Sequence, residues 1–221
     1  MPRRWVKEEL KKDRLASWVE KSVTWVSRNK ENAIIGGIIV LAVSIFIPFS
    51  LSRRTKMNEQ AFTLLARGQQ EHFDNRLDKA ISFYDQALAT SGSKVIPIGL
   101  LYKGNVLYEM GKYSEAASVY RSYLAKYEKR KLTPEILIGL GRSLEQEGKF
   151  DEAKGIYQNF LDKFPQYYLL PDVYQGLGRC YEKLGQKEEA VKIYQQMSHF
   201  YSGLVWQDMA EAKIKILSPT P

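Results

Sequence analysis

Across 221 residues there is one cysteine, Cys180, and there are two histidines, His72 and His199. A single cysteine excludes an intrachain disulfide and leaves the redox compartment unread. The two histidines are far apart, and no acidic or cysteine cluster at ligand spacing accompanies them, so no metal site is expected. A phosphate-binding loop and a nucleophile motif are also missing. Gly139-Leu140-Gly141 and Gly176-Leu177-Gly178 recur at equivalent positions of helical patterns, so they are packing glycines rather than a nucleotide fingerprint. These absences point away from an enzyme and from a bound cofactor. Cys180, beside Tyr181 in a helical pattern, is expected to be a small, buried, inert thiol.

Acidic balance is scarce too, since the formal charge is +8. The excess is local. Residues 1–56 hold 12 Lys/Arg against five Asp/Glu, a net of +7, and the rest of the chain holds 21 against 20. A nucleic-acid binder normally carries its excess on the folded domain, so nucleic acid is not the expected partner.

Residues 1–32 form a basic segment, and charge then stops. Ala33 to Leu51 has no ionisable residue, and 12 of its 19 positions are Ile, Val, Leu or Phe. As a helix it would span roughly 29 Å, matching a hydrocarbon core of about 30 Å. The twelve large apolar residues supply about −4 to −7 kcal/mol on an insertion scale. Pro48 lies near the polar flank, where interfacial water can meet the lost hydrogen bond. A single transmembrane helix over 33–51 is expected. A cleaved signal peptide competes poorly, because 32 residues precede the apolar core and Ser50-Leu51-Ser52 is a weak cleavage pattern. The basic prefix favours the N-terminus in the cytoplasm. Close to the span the contest is even, with Lys21, Arg28 and Lys30 against Arg53, Arg54 and Lys56.

Ahead of the span, Asp13 to Arg28 reads as an amphipathic helix. Leu15, Trp18, Val19, Val23, Trp25 and Val26 gather on one side, opposite Asp13, Ser17, Glu20, Lys21, Thr24 and Arg28. Trp18 and Trp25 suit a membrane interface. Packing on a partner's membrane domain is the alternative.

Beyond the span a rhythm governs the chain. Gly68, Gly104, Gly141 and Gly178 are 36, 37 and 37 residues apart. Each is followed by an alanine and then a tyrosine: Ala80/Tyr84, Ala116/Tyr120, Ala153/Tyr157 and Ala190/Tyr194. Glycine lets a second helix approach, alanine completes the crossing, and the aromatic on the same face fills the gap to the next pair. Asn75, Gly111, Gly148 and Gly185 are placed to close the first helix of each pair in the left-handed conformation. Pro134, Pro165 and Pro171 are expected in the connections between pairs.

Period and residue types resemble the tetratricopeptide (TPR) family over about 57–217. The resemblance implies an all-α fold: one N-terminal transmembrane helix, then an α-solenoid of about four helix pairs, capped by a terminal helix from Trp206 to Leu217. The period exceeds the usual 34, and Tyr123, Phe160 and Met197 stand where the family prefers a small residue, as Ala87 does. Slightly longer helices with wider spacing are expected from this.

TPR arrays bind proteins on the inner surface, formed by the first helices. Carrying those positions over gives Leu65, Gln69 and His72, then Leu101, Asn105 and Tyr108. The third pair supplies Ile138, Arg142 and Glu145, and the fourth Gln175, Arg179 and Glu182. This face would grade from apolar to charged and suit a peptide. Of the lysine-rich carboxylate clamp of some TPR domains, only Asn105 is present.

The order of parts is similar to the YfgM family of bacterial inner-membrane proteins. The resemblance rests on Leu10-Lys11-Lys12-Asp13, Trp18-Val19-Glu20-Lys21, one span, and the closing Met209-Ala210-Glu211-Ala212-Lys213-Ile214-Lys215-Ile216-Leu217. It implies a single-pass, non-catalytic ancillary subunit of the SecYEG translocon with a periplasmic TPR domain. A membrane-anchored periplasmic chaperone would be a partner. A scaffold for envelope assembly or cell division has the same parts, and reversed topology would make a cytosol-facing receptor.

Overall fold

The computed structural model describes the backbone of residues 4–90 and 94–218, and the side chains of residues 16–90 and 94–218. The side chains of the prefix Leu10-Lys11-Lys12-Asp13 and of Leu15 lie outside the described residues. Regular structure among the described residues is entirely helical. The helices are α1 (Arg4–Arg28), α2 (Lys30–Phe73), α3 (Leu77–Ala89), α4 (Ile96–Glu109), α5 (Tyr113–Tyr127), α6 (Thr133–Gln146), α7 (Phe150–Lys163), α8 (Leu170–Lys183), α9 (Lys187–Phe200) and α10 (Val205–Leu217). The chain separates into two compact units, residues 1–55 and 56–221.

In the first unit the described large apolar side chains of residues 16–55 are exposed. Trp18 and Trp25 are exposed, as are Ile34, Ile38, Leu41, Ile45 and Phe49. Among the described residues, α2 alone contains a stretch long and apolar enough to cross a membrane, and none of that stretch is buried.

The second unit is a row of antiparallel pairs, α2 (from residue 56) with α3, then α4/α5, α6/α7 and α8/α9, closed by α10 against α9. The repeated tyrosine is the wedge between pairs. Tyr120 is 1% exposed, and a Cβ added to Gly104 on one side would lie 2.4 Å from its Cε1. On the other side, a Cβ at Gly139 would lie 2.6 Å from its Cζ. Tyr157 sits likewise between Gly141 and Gly176. A methyl group on either wall would collide with a ring that has no room to move.

Asn75, Gly111, Gly148 and Gly185 adopt φ values of 58°, 75°, 75° and 73°, as the caps required. Each capped turn is a Schellman motif: for example, Gly111 N–H donates to the Tyr108 carbonyl and Lys112 N–H to that of Leu107. The prolines depart in detail from the expected placing. Pro165 lies in a connection, but Pro134 and Pro171, with Pro97, sit in the first turn of α6, α8 and α4. There a missing N–H has no helical partner to lose.

The long period arises mostly in the connections between pairs and only in one place from a longer helix. Helices α6, α7, α8 and α9 are each 14 residues. The first helices begin at Ile96, Thr133, Leu170 and Val205, so the period is 37, 37 and then 35. That change tracks the connection between pairs, six residues between α7 and α8 and four between α9 and α10. Relative to 35, both extra residues of the α6/α7 repeat lie in its connection, while the α4/α5 repeat has one in α5, which is 15 residues long, and one in the five-residue connection after it. Phe160 fills the room so made, with its ring 5.2 Å from that of Phe164 and 5.8 Å from that of Tyr167, both in the α7–α8 connection.

Candidate protein-binding face

Three of the residues assigned to the inner surface are not on it. Leu65, Leu101 and Ile138 are 4%, 9% and 5% exposed and belong to the core. Adjacent first helices pack closely enough to cover this position; a Cβ on Gly99 would lie 3.7 Å from Leu65 Cδ1. The fourth residue of that register, Gln175, is half-buried and its amide lies 3.9 Å from Met209 Sδ on α10.

What remains is a polar ladder along the first helices. One residue after each glycine come Gln69, Asn105, Arg142 and Arg179, and four after it His72, Tyr108, Glu145 and Glu182. The tyrosine wedges reach this ladder with their hydroxyls. Tyr120 donates to Asn105 Oδ1 at 2.8 Å, Tyr157 to Glu145 Oε1 at 2.5 Å, and Tyr194 to Glu182 Oε1 at 2.6 Å. Tyr84 breaks the pattern; its buried hydroxyl has no partner among the described residues, and His72 is engaged elsewhere.

Each acid is also taken by a cation from the next first helix. Arg179 grips Glu145 through two hydrogen bonds, Nε to Oε2 at 2.8 Å and Nη2 to Oε1 at 2.9 Å. Lys213 of α10 reaches both oxygens of Glu182 at 3.0 and 3.1 Å. His72 Nε2 lies 2.6 Å from Glu109 Oε2, and Arg142 Nη2 lies 3.3 Å from Asp172 Oδ1. Burial works against the Arg179 charge, but its bonds to Glu145 outweigh that and its pKa is raised. Burial, reinforced by Glu145, pushes the Tyr157 hydroxyl well above the ordinary phenol range. Tyr157 is therefore held as a proton donor to Glu145.

The ladder thus links pair to pair, and its free valences are few. Gln69 is exposed, Tyr108 stands edge-on to Tyr113 at 5.3 Å, and Arg142 is open on its solvent side. Sequence reasoning missed Lys213, although it lies 34 residues after Arg179, and Glu109 and Asp172. It also missed the hydroxyl role of the tyrosines, which the repeat pattern presents only as space-filling rings. An aromatic cavity of about 460 Å³, walled by Tyr167, Tyr168, Tyr174, Phe200 and Tyr201, lies apart from this face at the α7–α8 connection. Among the described residues no group of His, Cys, Asp or Glu is placed to hold a metal ion. Cys180 is fully buried, and burial raises its thiol to about 12.

Two stretches, residues 101–168 and 144–206, each match a tetratricopeptide repeat profile. Together the two matches cover residues 101–206, where the chain is similar to tetratricopeptide repeats. No curated protein sequence matches the chain. Among solved structures, a tetratricopeptide repeat protein from Parabacteroides merdae superposes with a TM-score of 0.62 at 17% identity, over 72% of this chain and 60% of that one. This chain therefore spans less than two thirds of that protein's length. MamA superposes equally well, 0.62 at 18% identity, over 72% of this chain and 81% of MamA. The first TPR of Spaghetti (RPAP3), bound to the HSP90 peptide SRMEEVD, gives 0.51 at 17% identity over 58% of this chain and 95% of its own. At these identities the likeness is one of fold. TPR folds are interaction scaffolds, and neither matching family is enzymatic.

Proposed function

We propose that this chain is a membrane-tethered, non-catalytic module that holds a protein partner on the ladder face of its repeats. The observation that carries the reading is the first-helix surface. Its acids are already neutralised by Arg179 and Lys213, while Gln69, Tyr108 and Arg142 keep free bonding capacity. Such a face suits an extended or helical segment with mixed polar and aromatic anchors. The peptide-bound repeat domain of Spaghetti shares the fold; of the lysine-rich clamp that some TPR domains use for a terminal carboxylate, this chain carries only Asn105. An internal segment is therefore the better ligand.

The uncovered apolar stretch of 33–51, flanked by Trp18, Trp25 and basic residues, supports the tether. In this reading the N-terminus is cytoplasmic and the repeats are periplasmic, in the inner membrane of a bacterium. Resemblance in the order of parts favours an ancillary role at SecYEG beside a membrane-anchored periplasmic chaperone. Tethering raises the local concentration of the face near its partner, so weak contacts suffice.

Two measurements test this. Alkaline phosphatase fused to the C-terminus should be active, and an inactive fusion would overturn the periplasmic placement. Crosslinking and mass spectrometry in mild detergent should recover translocon subunits. Recovery of division or outer-membrane assembly proteins alone would favour the scaffold role.

A further inference from the structure

The terminal helix α10 carries an apolar stripe that no described element covers. Val205, Met209, Ala212 and Ile216 recur at helical spacing, and Val205, Met209 and Ile216 are 62%, 43% and 71% exposed. Ala212 holds the register of Gly178, as Lys213 holds that of Arg179. In the complete pairs that position lies against the tyrosine of a second helix, as Gly178 lies against Tyr194. On α10 it faces solvent. A shallow cavity of about 340 Å³ opens beside the stripe, lined by Met197, Met209, Ala212 and Ile216 among others.

The charges on α10 say what fits there. Four of its residues are ionisable. Lys213 is engaged by Glu182, and Glu211 accepts from Ser198 and Gln207. Asp208 and Lys215 are exposed and make no ion pair or side-chain hydrogen bond among the described residues. They are seven residues apart, two helical turns, on the same edge of the stripe. In an antiparallel pair of identical helices, like edges face each other, so Asp208 of each would meet Lys215 of the other. The midpoint of the charges and the midpoint of the stripe differ by one residue, about 1.5 Å, so one axis serves both.

We infer that α10 is the contact face for a second copy of this chain, packed antiparallel across a two-fold axis near Ala210–Glu211. Val205 then meets Ile216 of the other copy, and Met209 meets Ala212, whose small side chain allows close approach. This is the antiparallel arrangement that every complete pair in the array uses. One helix pair is a small interface, so the dimer is reversible rather than obligate. A lipid surface is a poorer occupant, because the free flanking charges cancel, whereas interfacial helices carry an excess of lysine and arginine.

Sedimentation of the full chain in mild detergent tests the assignment. The unaltered chain should show a concentration-dependent monomer–dimer equilibrium, and Ile216→Glu should abolish it with an unchanged circular-dichroism melt. D208K and K215E should each weaken the dimer about tenfold, since they place like charges opposite one another. The double swap D208K/K215E should restore it to within about threefold. A monomer at all concentrations would overturn the inference. So would a dimer indifferent to these changes, or a double swap no better than the single ones. Ile216-dependent binding to phosphatidylglycerol vesicles without dimerisation would assign the stripe to lipid instead.

Discussion

At the scale of the residue, the wedge tyrosine carries both packing and polarity. Its ring separates consecutive pairs, and its hydroxyl fastens the polar ladder along the first helices. Gly176→Ala should therefore destabilise the repeats by about 1–3 kcal/mol, because the new methyl would press on Tyr157 from 2.6 Å. Gly155→Ala on α7 meets nothing within 4 Å and should stabilise by about 0.5–1 kcal/mol through helix propensity. Urea titration of the two variants should show opposite signs; the same sign in both would remove the wedge argument. The buried phenols also set a pH limit. Burial raises Tyr84 to about 12, and pushes Tyr120, Tyr157 and Tyr194 in the same direction. Folding thus favours the protonated form. Stability from this source is complete below about pH 10, where unfolded tyrosine ionises, and is lost as pH rises towards 12. The phenolate absorbance of these four buried tyrosines should appear only together with loss of helicity, and complete ionisation of all the tyrosines in a still-helical chain would contradict it.

At the scale of the element, helices α3 to α10 stay within 13 to 15 residues, and the connections vary more. Caps in the left-handed conformation end the first helices at Asn75, Gly111, Gly148 and Gly185, and those stops are local features readable from residue type. The second helices end without such a signal. In the six-residue connection after α7, Phe160 fills the space together with Phe164 and Tyr167. Phe160→Ala should cost about 3–5 kcal/mol, since the ring is fully buried and the α7–α8 connection rests on it. Hydrogen exchange should quicken first in residues 164–169. Uniform loss of protection across all pairs would mean that this connection is not locally dependent on Phe160. The site was only partly legible at this scale. Helical periodicity placed Asn105, Arg142, Glu145, Arg179 and Glu182 on one surface, and of these Arg179 bonds Glu145 while Asn105, Glu145 and Glu182 accept from the wedge tyrosines. It also placed Leu65, Leu101 and Ile138 there, and these are buried by the neighbouring first helix.

At the scale of the whole molecule, the chain is two units with separate physics. Among the described residues, every core residue lies between Ala61 and Leu217, so none comes from residues 1–55. A fragment of residues 56–221 should therefore melt cooperatively within a few degrees of the full chain, while losing any partition into membranes. A fragment that failed to fold would show that the N-terminal unit supports the repeats. The sequence by itself determined the helix pairs, the caps and the uncharged stretch of 33–51, because each depends on residues close in the chain or on a strict period. The tertiary structure alone decided which first-helix positions stay open, how Glu145 and Glu182 are neutralised, and why the period is long. It also decided that Val205, Met209 and Ile216 stay exposed on α10. Those outcomes depend on how far each pair is set from the next. That spacing arises from contacts between residues 30 or more positions apart, such as Arg179 with Glu145 and Lys213 with Glu182, which no local pattern records.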